Sequence, residues 1–162
     1  MYNSKYYASE GWLISPCIEV AKDVTTTLTF DHAAKFFSSA STEMTLWLST
    51  DYKSGLPSTA TWSQLTIPTY PSGSNWNFVS SGNIDLSAYA GSSVSIAFKY
   101  ISTSTAAAQW EVKNFSVTST PNPTGLNDVD QSQESAQKVL RDGHVLIIRN
   151  GKTYTVQGQE VK

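Results

Sequence analysis

Apolar residues recur at every second position in three stretches of this chain, and that period constrains the fold more than any other feature. Leu28 and Phe30 alternate with threonine in TTTLTF, Met44, Leu46 and Leu48 alternate in MTLWLST, and Val94, Ile96, Phe98 and Tyr100 in SVSIAFKY. Successive side chains of a strand point to opposite faces, so a two-residue period marks half-buried strands, not amphipathic helices. Further strands are expected at Trp12–Ile14, Trp62–Ile67, Phe78–Ile84 and Trp110–Val117. In the last of these the phase slips: Trp110 and Val112 share one face, yet Phe115 and Val117 are also apolar. A β-bulge near Asn114 reconciles the two halves. Pro57, Pro68, Pro71, Gly55, Gly73, Gly82 and Gly91 punctuate the runs, and no segment before residue 130 keeps a helical period. Several short strands separated by turn signals predict an all-β sandwich.

The end of the chain is a different object. Residues 119–135, STPNPTGLNDVDQSQES, hold two prolines, no aromatic residue and only two large apolar ones, so they are read as a linker. Beyond it, 136–162 reads as a small C-terminal β-meander. Asn150-Gly151 separates Val145–Ile148 from Tyr154 and Val156, and Asp142-Gly143 supplies a second turn. Such pairs accept the positive φ that a type I′ hairpin turn needs. Charge changes with the boundary as well. Residues 1–120 carry 6 lysines and 8 acids, whereas 136–162 carry 5 basic residues and 2 acids. The expected organisation is a sandwich over 1–118, a linker over 119–135 and the meander over 136–162.

Composition excludes several functions. A net charge of −2 offers no basic field for nucleic acid. A single cysteine, Cys17, rules out an intrachain disulfide framework and a multi-cysteine zinc site. No apolar run approaches the roughly 18 residues of a membrane span, and the N-terminal stretch lacks a signal-peptide pattern.

Catalytic constellations are weak. The two histidines are His32, beside Asp31 at a strand end, and His144, in the tail. Neighbours in a strand point to opposite faces, so Asp31 cannot orient His32 as a triad requires, and no GxSxG elbow is present. His32 is expected to be structural. Cys17 follows a proline at a strand exit, where a small buried residue is the ordinary choice rather than an exposed thiolate. Asp31, Asp51, Asp85 and Glu111 are not placed across a cleft by anything in their spacing. The chain is therefore expected not to be an enzyme.

Aromatic residues are the better lead. If Leu46 and Leu48 face the core, Trp47 faces outward. Trp76 and Tyr70 lie in the loop PTYPSGSNWNF. Aromatic rings on sheets and loops can stack on the apolar face of a sugar, so Trp47, Trp76 and Tyr70 are candidate ligand-binding residues. Trp12, Trp62 and Trp110, at strand starts, are expected in the core.

The ordered motifs WLISP (12–16), TLTFDHA (27–33), LWLSTDY (46–52), GNIDLSAYAG (82–91), VSIAFKY (94–100) and WEVKNFSV (110–117) resemble the choice-of-anchor J and cleaved-adhesin jelly rolls. The tail KVLRDGHVLIIRNGKTYTVQGQEVK is similar to C-terminal sorting tails read by type IX secretion. These resemblances imply a jelly-roll sandwich at an extracellular or outer cell-surface location. They imply binding to a glycan or surface protein, with the secretion machinery as a partner through 136–162. Relatives begin with further strands upstream of the WLISP motif, so the sandwich is expected to lack its first strands and to expose a sheet edge. The resemblance also raises a structural calcium, with Asp31 and Asn114 as candidate ligands, although Lys113-Asn114 is less acidic than the family's pattern. The alternative function is an accessory or spacer domain from the C-terminal part of a secreted protease or nuclease.

Overall fold

The computed structural model describes residues 5–122 and 136–161, and the chain divides into two compact units between Asn122 and Pro123. The first contains β1 (Ser9–Ile14), β2 (Ile18–Glu19), β3 (Val24–Lys35), a short helix α1 (Ala40–Glu43), β4 (Met44–Ser49), β5 (Ser63–Leu65), β6 (Val79–Ser80), β7 (Ile84–Asp85), β8 (Ser93–Ser102) and β9 (Gln109–Pro121). Every pairing is antiparallel. One sheet runs β1-β8-β4-β5, with β2 also on β8. In the other, β3 pairs with β6, β7 and β9.

The two-residue period does what it predicts. Leu28 and Phe30 of β3 meet Leu46, Leu48, Ile96 and Phe98 of the facing sheet in one buried cluster. Phe30 stands edge-on to Phe98, with ring centroids 4.9 Å apart and planes at 87°. That geometry suits the quadrupoles of two aromatic rings. The result is an all-β sandwich.

The phase slip in the last strand is a bulge. Thr29 pairs with Ser116 and Asp31 with Lys113, so Asn114 and Phe115 together oppose Phe30. Asn114 takes a φ of 53°, a left-handed conformation that asparagine tolerates better than most residues. The extra residue returns Phe115 and Val117 to the side already taken by Trp110 and Val112.

Three expectations need correction. Phe78–Ile84 is not one strand but β6 and β7, because Ser81 substitutes for a ladder residue. Its backbone N–H donates to the Phe30 carbonyl at 2.8 Å, and its Oγ accepts the Phe30 N–H at 3.1 Å. Ser119, Thr120 and Pro121, read by composition as linker, continue β9 against Thr26, Thr25 and Val24. Threonine-rich β3 supplies a partner that composition alone does not reveal. Cys17 is exposed rather than buried. Residues 123–135 of the expected linker lie outside the described residues.

The second unit is a four-stranded meander of β10 (Gln137–Arg141), β11 (His144–Arg149), β12 (Lys152–Thr155) and β13 (Glu160–Val161), in that order. Both anticipated turns have two consecutive left-handed residues: Asp142 and Gly143 at φ 50° and 77°, Asn150 and Gly151 at 52° and 70°. Their twist matches that of the strands they join.

Candidate functional site

On the outward side of the β1-β8-β4-β5 sheet, Trp12 of β1 and Trp47 of β4 reach across β8. Trp12 pairs with Lys99, and Lys99 pairs in turn with Thr45. The two indoles lie 6.2 Å apart, and Trp62 continues the row 5.2 Å beyond Trp12. Tyr52 closes it 5.4 Å from Trp62. Lys99 Nζ sits 5.0 Å from the centre of the Trp12 ring and 5.6 Å from that of Trp47. All three tryptophans are half-buried.

Polar bonds fix these rings. The Trp12 indole N–H donates to Glu10 Oε1 at 2.6 Å, that of Trp47 to Thr45 Oγ1 at 2.8 Å, and that of Trp62 to the Pro57 carbonyl at 2.9 Å. Lys99 also bridges to Glu10 at 3.0 Å. The Trp12 N–H, followed by Lys99, holds the Glu10 carboxyl below its ordinary range. The loop bearing Tyr52 and Trp62 is tied at both ends by Asp51. Its Oδ1 accepts the Ser49 hydroxyl at 2.7 Å and the Thr61 backbone N–H at 2.9 Å. The Ser49 hydroxyl, then Thr61, lowers the Asp51 pKa. Beside the row, Glu10, Trp12, Leu56, Pro57 and Trp62 line a shallow depression of about 300 Å³.

Trp47 faces outward as its parity predicts, but β1 lays Trp12 against it. Trp12 and Trp62, expected in the core, belong to this outer row instead. Trp12, Leu13 and Ile14 are all apolar, so alternation cannot tell which side of β1 faces inward. The missed signal is Lys99, which shares outward parity with Ala97 on β8 and so marks the face where a neighbouring indole can rest. Trp110 does pack against the core.

The other candidates lie elsewhere. Trp76 is 39% exposed and stands edge-on to exposed Phe36, 6.4 Å away, with Lys35 over both rings. Tyr70 packs on the core and donates its hydroxyl to the Met44 carbonyl at 3.0 Å. Burial raises its pKa. Neither residue shares a ring contact with the Trp47 row.

Asn114 donates its side-chain N–H to Asp31 Oδ2 at 2.7 Å. That orientation points an amide nitrogen, not an oxygen, at the carboxylate, whereas calcium takes six to eight oxygen ligands. Among the described residues no three His, Cys, Asp or Glu side chains are grouped to hold a metal. The Asp31–Asn114 pair braces the bulge.

His32 is fully buried. Its Nδ1 accepts the Trp110 indole N–H at 3.2 Å, which leaves Nε2 as the donor to the Thr69 carbonyl at 2.9 Å. Both nitrogens are engaged, and desolvation lowers the pKa, so the ring is a neutral structural element. The unfolded chain takes up this proton near pH 6.5, the folded one only at lower pH, so below about pH 6.5 acid favours unfolding. Stability should therefore fall from pH 7.5 to pH 5 in urea titrations, and His32→Phe should remove most of that slope. A slope unchanged in the variant would assign it to another group.

A family model described as a domain of unknown function, DUF5017, matches residues 18–136. No curated protein matches the chain. The match takes in β2 through β9 and spans more than half of the sequence, and on that ground the chain belongs to the DUF5017 family.

Proposed function

We propose that this chain is a non-catalytic β-sandwich module of the extracellular or outer cell surface that binds carbohydrate through Trp12, Trp47 and Trp62. The observation that carries the reading is the row of three indoles, extended by Tyr52, on the outward side of a hydrogen-bonded sheet. Aromatic rings held by sheet pairing and indole hydrogen bonds lose little freedom when a pyranose stacks on them. The Lys99–Glu10 pair and the loop carbonyls beside the row offer polar partners for sugar hydroxyls. Two motifs that carry the resemblance to choice-of-anchor J and cleaved-adhesin domains supply the rings: WLISP provides Trp12, and LWLSTDY provides Trp47 and Tyr52. On the same resemblance, the meander over 136–162 is a sorting tail that delivers the module through type IX secretion.

A glycan array probed with the full chain tests the reading. Trp12→Ala and Trp62→Ala should each weaken a retained saccharide by about 1 kcal/mol, roughly fivefold in affinity. Trp47→Ala should weaken binding and also stability, since its ring is half-buried and its N–H is bonded to Thr45. Asp51→Ala should reduce binding without touching a ring, by freeing the loop that positions Tyr52 and Trp62. An array that stays blank with folded protein at high density would refute the carbohydrate reading.

A further inference from the structure

We propose that the open side of the sandwich is a homodimer interface in which β9 pairs antiparallel with β9 of a second copy about a two-fold axis at Val112. The inference is independent of the carbohydrate reading.

Two unpaired strand edges lie together on this side. Among the described residues β1 pairs only with β8, and β9 only with β3. Between them is a cleft of about 460 Å³ lined by Leu13, Phe98, Trp110 and Val112 among others. Apart from Trp12, its walls are mostly inward-facing residues that the described residues of the sandwich leave uncovered. Leu13 pairs with buried Phe98, yet is 65% exposed, and Phe115 is 38% exposed although it packs 6.0 Å from Phe98. The β9 edge over 109–113, ahead of the bulge at Asn114, lies beside these exposed apolar side chains and is a template for another strand.

The sequence of β9 identifies that strand as its own copy. Glu111 and Lys113 flank Val112 on the outward face, next to each other in parity and opposite in charge. Antiparallel pairing about Val112 sets Glu111 of each copy opposite Lys113 of the other, twice by symmetry. Directly opposed unlike charges favour a cross-strand pair, and like charges oppose it. Glu111 makes no ion pair within the described chain, while Lys113 rests over the Phe78 ring at 3.9 Å on the same outward face. The other side of the joined strands brings Val112 against Val112.

Sedimentation of the full chain tests this with a charge-exchange set. The wild type should dimerise at tens of micromolar or below. Glu111→Lys alone opposes two lysine pairs and Lys113→Glu alone opposes two glutamate pairs, so each should weaken the dimer about tenfold. Mixing the two variants in equal amounts should restore dimerisation, because every cross-strand pair is then attractive. Both positions are exposed, so circular dichroism should stay unchanged and exclude misfolding as the cause. A wild type that remains monomeric, a dimer indifferent to both substitutions, or a mixture that fails to recover would each overturn the proposal.

Discussion

Replacing Phe30 with alanine is expected to cost about 3–5 kcal/mol, a large part of the roughly 5–15 kcal/mol that holds a domain of this size folded. Phe30 is 1% exposed and meets two rings edge-on, Phe98 at 4.9 Å and His32 at 5.1 Å. It also bonds through its backbone to Ser81 on the neighbouring segment. The truncation removes a ring that joins the two sheets and leaves a cavity between them. A fall of roughly 15–25 °C in melting temperature should follow. Phe30→Leu, which keeps most of the volume, should cost far less. Equal losses for the two variants would mean that the edge-on ring contacts, rather than the volume filled, secure this position.

Deleting residues 136–162 is expected to leave the melting of the sandwich nearly unchanged while almost abolishing delivery to the cell surface. The meander closes its own hydrogen bonds through two I′-type turns and forms a compact unit by itself. Comparing thermal transitions of the full and shortened chains checks the first half. Surface labelling of cells expressing each in a host with type IX secretion checks the second. Normal surface display without the meander would remove the sorting role, and a melting temperature lowered by many degrees would make it part of the sandwich's stability.

Much of this architecture is legible in the sequence where period and turn chemistry act locally. The alternation in SVSIAFKY and MTLWLST places Ile96, Phe98, Leu46 and Leu48 inside, as the structure has them. The slip between Val112 and Phe115 marks the bulge, because each added residue reverses the face of all that follow. Asn150-Gly151 and Asp142-Gly143 mark hairpins through their backbone requirements. Long-range register is not legible in the same way. Nothing local announces that β1 and β4 both flank β8, and without that pairing Trp12 cannot be placed over Trp47. The role of Ser81 as a surrogate ladder residue likewise depends on Phe30, 51 positions away. The outward parity of Trp47 is readable, but the company it keeps is not.

A nitrogen–proton correlation spectrum of the full chain, titrated with a saccharide retained on the array, separates its five tryptophans by their indole N–H signals. The signals of Trp12 and Trp62 should move most and that of Trp47 should follow. The Trp110 signal, whose N–H is bonded to buried His32, should stay in place. Movement confined to Trp76, or no movement of any indole at tens of millimolar saccharide, would contradict binding at the outer-face row.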